Sequence, residues 1–337
     1  MFAAQVELKK AEATKRKLLK EGVLNPDYKP LQKNGYLYFP LIKKIKGVKT
    51  VEVSFRFPQK EKQLTVKDLL KGKLTPAEIK LIPHSQEILG KIMILEIPEE
   101  FEKKENTIAQ AYLDAGHHID TVVKKNTSYT GVFRTRKIKV LAGKKTKETV
   151  HNENGVKIML HLEDVYFSAR SSNERLRIAK LTKKGEEVLI MFSGAAPYPL
   201  VIAKHSEAKK IYGVELNPDG HRYAEKNVRL NKFENRIVLY DGDVRKVVPK
   251  LKKKFDRIAM PLPKTSEEFL DVALAATKKG GTIHLYTFLN EEKISEEAKR
   301  VKKRCHELGY QVRIIRKVKC GQFSPGIFRI CFDIKVE

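Results

Sequence analysis

Three short segments carry residues suited to holding a nucleoside. The first, "FSGAAPYP" (192–199), follows an apolar run and presents Phe192, Ser193 and Gly194 where small side chains let a ligand approach the backbone. The second ends "YGVEL". There Glu215, followed by Leu216, lies 21 residues after Gly194, an offset at which an acid accepts hydrogen bonds from both ribose hydroxyls. The third, "DGDVR", sets Asp243 where it can meet an adenine amino group, with Val244 next to it. Tight turns and acids after strands are common singly; here their order along the chain makes one site. The loop is not G-x-G-x-x-G, and without the third glycine nothing keeps room for a pyrophosphate, which disfavours a dinucleotide.

Strand–helix alternation must position these segments. "EVLIMF", "KIYGVEL", "RIVLY", "FDRIAM" and "GTIHLYTF" read as five short buried strands. Between them lie helical stretches such as "NPDGHRYAEKNVRLNK", with Asn217 as N-cap and Pro218 in the first turn. The pattern predicts a parallel sheet covered on both faces, with the ligand beyond the carboxyl ends of its strands. The ending differs: "YQVRIIRKVK" and "GIFRICFDIKV" are joined by a turn alone, which predicts a terminal antiparallel hairpin. The fold class is therefore α/β, the Rossmann-like class I sheet of S-adenosylmethionine-dependent methyltransferases, with α+β regions before it. At the end of the fourth strand, "IAMPLPK" brings Met260, Pro261 and Leu262 to the site. Pro261 and Pro263 would stiffen that loop by locking φ, and class I enzymes that modify nitrogen bases often hold such a loop against the target base.

Composition points to the partner. The 337 residues hold 68 Lys and Arg against 41 Asp and Glu, a net charge of +27, which repels itself unless a polyanion offsets it. Lysine enrichment for heat resistance would bring matching glutamate, and here it does not. No run of about 18 apolar residues is present, so no membrane span is expected. The start lacks the apolar middle of a secretion signal. Cys305, Cys320 and Cys331 form no C-x-x-C pair, so the expectation is packing residues, no metal and a reducing compartment. Three domains are expected: 1–62, small, basic and strand–helix–strand; 63–165, a mixed sheet with one or two helices; and 166–337, the α/β domain. In the middle region "SYTGVFRTRKIKVLAG" reads as a strand, with Arg134 and Arg136 on one face by period-two spacing.

With these runs assembled, the sequence resembles the archaeal tRNA (guanine-37-N1)-methyltransferase family, which includes wyosine-pathway relatives. "GVFRTRKIKVLAG", "HNENGVKIMLHLEDVYFSARSSNERLRI", the cofactor loops and "PLPK" carry the resemblance over nearly the whole chain, and the "VYFSxR…ER" run is its most specific part. It implies methyl transfer from S-adenosylmethionine to the purine on the 3′ side of the anticodon of a tRNA, by a monomeric cytoplasmic enzyme whose N-terminal domain touches the outer corner of the tRNA. N1 of guanine carries a proton, so a base must remove it while charge builds on O6. The resemblance assigns the base to Glu174 and the contact with O6 to Arg134, whose permanently charged fork suits the task. Tyr166 and Arg170 are placed at the seam between cofactor and RNA. The chain departs from the family pattern at Ile190 (an acid in the family), at "GAAP" (a glycine-rich turn), at Pro261 (an asparagine) and at Ala169 (a proline). Those departures leave two other readings open: a wyosine-pathway transferase that moves a methyl to another ring atom or an aminocarboxypropyl chain, and a non-catalytic tRNA-binding paralogue.

Overall fold

The computed structural model describes all residues except 61–63, 83–85, 117, 128–130 and 263–264. The chain divides into two compact units, Met1–Leu69 and Leu70–Glu337.

In the first unit β1 (Phe2–Glu7) leads into helix α1 (Ala11–Lys20), followed by β2 (Leu31–Lys33), β3 (Tyr36–Pro40) and β4 (Thr50–Glu52). The sheet order is β2-β3-β1-β4 with antiparallel pairing throughout. Ala4, Val6, Leu18, Val23, Phe39 and Leu41 form its core. Leu18 is the only buried residue of α1, whose lysines and arginine face water. Sequence reading anticipated β1, α1 and β3. It missed β2 and β4, each three residues long and so too short to show alternation.

The second unit begins with the short helices α2 (Val66–Leu70), which straddles the division, and α3 (Pro76–Leu81). A four-stranded sheet follows, built from β5 (Gln86–Leu89), β6 (Ile92–Leu95), β7 (Thr121–Lys125) and β8 (Ile138–Gly143), with α4 (Glu105–Ala115) crossing between β6 and β7. The hairpin β9 (Glu148–Glu153) and β10 (Val156–His161) joins it to α5 (Ser172–Leu181). Then come β11 (Glu187–Met191), α6 (Pro197–His205), β12 (Lys210–Glu215), α7 (Pro218–Leu230), β13 (Ile237–Asp241), α8 (Val244–Lys250), β14 (Phe255–Met260), α9 (Leu270–Ala275), β15 (Thr277–Asn290), α10 (Ile294–Glu307), β16 (Val312–Ser324) and β17 (Ile327–Val336). The sheet order is β13-β12-β11-β14-β15-β17-β16, with the first five strands parallel and the last two antiparallel. This is the expected sheet with its terminal hairpin.

One expectation changes. The strand read across 128–143 begins only at Ile138; Arg134 lies in a turn with φ 51°, in the left-handed region. The alternation of Arg134, Arg136 and Ile138 imitated a strand, but the chain there is bent towards the ligand cavity. Residues 128–130 lie outside the described residues.

The middle sheet and the large sheet share a core. Leu89, Ile92, Val123 and Ile138 pack in one cluster with Ile158, Ile178, Leu200 and Tyr223. Asn227, fully buried on α7, exchanges hydrogen bonds with Met159 of β10 (2.6 and 2.9 Å) and donates to the Ala195 carbonyl at 3.0 Å. It therefore fixes the hairpin and the first ligand loop together. Arg175 of α5 donates to Glu153 of β9 from Nε (2.6 Å) and Nη2 (2.5 Å), with both side chains buried. Glu153→Ala would leave that guanidinium uncompensated, an expected loss of about 3–5 kcal/mol. A lower denaturant midpoint at unchanged slope checks it; an unmoved midpoint would mean water enters and replaces the carboxylate. Among the described residues no helix is long and apolar enough to cross a membrane.

Candidate active site

A cavity of about 460 Å³ opens beyond the carboxyl ends of β11, β12, β13 and β14, the place where such sheets bind ligands. The loop after β11 reverses sharply because Phe192 (φ 62°), Gly194 (φ 55°) and Ala196 (φ 65°) are all left-handed. Ala196 is fully buried and precedes Pro197 at the first position of α6. Phe192, Ser193 and Gly194 all line the cavity.

Glu215 projects from the end of β12. Its Oε2 accepts from the Gly194 amide at 2.5 Å and its Oε1 from the Asn217 amide at 2.8 Å. A carboxylate has about four lone-pair sites, so acceptor capacity remains for a ligand. Burial pushes this carboxyl above its ordinary range, against the opposing amide bonds. Gly220, in the first turn of α7, keeps the space behind it: a Cβ there would sit 3.1 Å from Glu215 Cγ. Asn217 and Asp243 cap α7 and α8 by accepting from Asp219 N and Arg245 N. Leu216, Asn217, Asp243 and Val244 line the cavity, and Phe192 meets Phe269 edge-on at 4.9 Å on the same wall.

Arg134, Tyr166, Tyr198, Pro261, Leu262, Tyr286 and Arg329 also line the cavity. The Arg134 guanidinium lies 4.4 Å over the Tyr166 ring, a contact that orients it while leaving its donors for a partner. Pro263 and Lys264 lie outside the described residues. Arg134 and Tyr166 also line a smaller neighbouring cavity of about 140 Å³, together with Arg136, Arg170, Lys125 and Arg329; among the described residues Glu87 is its one acidic wall residue.

Thus Arg134, Tyr166, Phe192, Ser193, Gly194, Glu215, Leu216, Asp243, Val244, Pro261 and Leu262 come together at the larger cavity. Arg170 faces the smaller one, and Met260 is buried in the core beneath. Glu174 lines neither. It is buried in the first turn of α5, accepting from Arg177 Nε and Nη2 (both 2.7 Å) and from the Tyr286 hydroxyl (2.6 Å). Arg177 is shared with Asp333, which it reaches at 2.7 Å from Nη1. Asp333 in turn accepts from His284 Nδ1 (2.6 Å), and His284 Nε2 accepts from Arg257 Nη1 (2.7 Å). Burial pushes His284 towards its neutral form, outweighing Asp333. Burial also opposes ionisation of Asp333, but the bonds from His284 and Arg177 outweigh it and hold this carboxyl far below its usual range. Tyr198, Tyr286 and Arg329 escaped sequence reading because in apolar or basic runs they look like core or surface residues.

The strand order, the hairpin ending and a cavity with an acid at the end of the second strand define a class I methyltransferase of the S-adenosylmethionine-dependent type. Comparison with known proteins narrows this. Residues 149–313 match the TRM5/TYW2 methyltransferase domain, 66–146 the TYW2 N-terminal domain and 3–49 the tRNA methyltransferase 5 N-terminal domain. The chain is 31% identical over 342 residues to tRNA (guanine(37)-N(1))-methyltransferase Trm5b of Pyrococcus abyssi, covering 100% of this chain and 99% of that one. The crystal structure of that protein matches with a TM-score of 0.73. A structure of aTrm5 in complex with tRNALeu matches with a TM-score of 0.72 at 27% identity, covering 100% of both chains. The tRNA(Phe) (4-demethylwyosine(37)-C(7)) aminocarboxypropyltransferase of Pyrococcus horikoshii is 30% identical, covering 80% of this chain and 96% of its own. The chain belongs to the TRM5/TYW2 methyltransferase family.

Proposed function

We propose that this protein transfers the methyl group of S-adenosylmethionine to N1 of guanosine 37 in tRNA, acting as a cytoplasmic monomer. The observation that carries this reading is the end-to-end similarity to Trm5b, which includes the first unit.

The cavity residues fit the cofactor. Ser193 Oγ is buried at the wall with no hydrogen-bond partner among the described residues, and Glu215 keeps acceptor capacity for ribose hydroxyls. Leu216, Val244 and Phe269 offer apolar surface for a base, with Asp243 at their edge. When bound, the cofactor supplies an electrophilic methyl on a sulfonium.

The target guanine enters beside Arg134, Tyr166 and the Pro261 loop. Arg134 donates to O6 as charge builds there, and Glu174 is the final acceptor of the N1 proton. Arg170, exposed at the wall of the smaller cavity, carries a phosphate flanking the target. Of the domains, 1–62 grips the tRNA away from the anticodon, 63–165 presents Arg134, and 166–337 holds the cofactor.

The match of 66–146 to the TYW2 N-terminal domain favours a second reading, aminocarboxypropyl transfer. It is the weaker one, because the Pyrococcus horikoshii relative covers only 80% of this chain. Incubating the protein with unmodified tRNA transcript and S-adenosylmethionine, then digesting and identifying the nucleoside, separates them. The expected product is 1-methylguanosine; modification only of transcripts already carrying a wyosine precursor would overturn the proposal. No modified product together with unimpaired tRNA binding would favour the non-catalytic paralogue.

A further inference from the structure

Tyr286 lines the cavity, whereas Glu174 does not and is buried against the Tyr286 hydroxyl. The Tyr286 hydroxyl donates to Glu174 Oε1 at 2.6 Å, while Arg177 holds both carboxylate oxygens from the far side. Tyr286 lies in the carboxyl-terminal half of β15. Its carbonyl accepts from the Ser266 hydroxyl at 2.9 Å, and the same hydroxyl reaches the Leu262 carbonyl at 2.5 Å. The strand that carries the phenol is thus tied to the loop at Pro261, beside which the proposed target guanine enters. Tyr198, which also lines the cavity, meets the Tyr286 ring edge-on at 6.2 Å.

Resting on the proposed function of Glu174 as base, we infer that Tyr286 is a further catalytic residue whose hydroxyl relays the N1 proton of guanine to Glu174. In the step, the N1–H bond breaks towards Tyr286 Oη while the Tyr286 O–H bond breaks towards Glu174 Oε1. The N1 electron pair forms the bond to the methyl carbon, and the pair of the broken carbon–sulfur bond stays on sulfur. Tyr286 ends as a neutral phenol, Glu174 ends protonated, and the methylated base is neutral. Burial holds the Tyr286 hydroxyl well above the ordinary phenol range, so the two transfers proceed together without a free phenolate. The relay accounts for how a carboxylate enclosed by an arginine, and absent from the cavity wall, takes a proton from a substrate.

The test uses the full-length protein, unmodified tRNA transcript and S-adenosylmethionine under single-turnover conditions. Tyr286→Phe is expected to slow methyl transfer by about 10²-fold or more, with calorimetric affinities for cofactor and tRNA unchanged. In mixtures of light and heavy water the wild-type rate should curve with deuterium fraction, as two moving protons require. Replacing Tyr286 by fluorinated tyrosines should make the rate follow phenol acidity, which a merely structural hydroxyl would not do. A wild-type rate in Tyr286→Phe beside an inactive Glu174→Gln would overturn the relay and leave the base standing. Full activity in both variants would overturn the base as well. A slow Tyr286→Phe with rates indifferent to phenol acidity would reduce Tyr286 to a positioning residue and overturn the relay.

Discussion

Glu174→Gln is expected to lower the single-turnover rate of methyl transfer by about 10²–10⁴-fold, the range that a positioned general base contributes, with tRNA affinity nearly intact. The two effects separate because Glu174 is buried and lines neither cavity, so it offers nothing to RNA. Glutamine keeps the volume but turns an amide N–H₂ towards Arg177, where two acceptors stood. Arg177 does not lose every partner, since Asp333 still accepts from it at 2.7 Å, so the protein should fold. Quench-flow with radiolabelled cofactor measures the rate, and filter binding measures the affinity. Loss of tRNA binding in step with activity would mean that Glu174 shapes the RNA surface instead of taking a proton.

What could be read from the sequence followed burial. Parallel strands covered on both faces appear as unbroken apolar runs, so "VLIM" in β11 and "IAM" in β14 were visible, as was the cap formed by Asn217 and Pro218. That the three loops meet at one cavity was legible because their order follows from the winding of the sheet. Arg134 lines the larger cavity but not from a strand: alternating basic residues look like a half-exposed strand, whereas the chain there turns through a left-handed residue. The surroundings of Glu174 were invisible. Its hydrogen-bond donor Tyr286 is 112 residues away, and the Asp333 that shares Arg177 lies 156 residues from that arginine. An acid in the first turn of a helix, three residues before an arginine, reads as half of a surface ion pair unless the distant phenol that covers it is known. Tyr286 in "HLYTF" similarly reads as a core aromatic, because periodicity reports which face of the strand is buried and not what the hydroxyl meets.

Glu215→Ala is expected to weaken S-adenosylmethionine binding by about 3 kcal/mol, roughly 10²-fold. Two losses combine. The ribose hydroxyls lose a charged acceptor, and the amides of Gly194 and Asn217, which the carboxylate now holds at 2.5 and 2.8 Å, are left unpaired at the cavity wall. The pH dependence has a definite sign. Burial raises the Glu215 carboxyl above its ordinary value, so the group takes up its proton at a higher pH than an exposed glutamate. Once protonated it loses acceptor capacity, and wild-type affinity should therefore fall as the pH drops through that raised value and stay level above it. The same shift acts oppositely on folding: its contribution to stability is complete at low pH and is lost as the pH rises through the raised value. Calorimetric titration with S-adenosylmethionine across the acidic range should show this limb in the wild type and not in Glu215→Ala. Unchanged affinity in the variant would mean that the ribose is not held at the end of β12, and with it would go the assignment of this cavity to the cofactor.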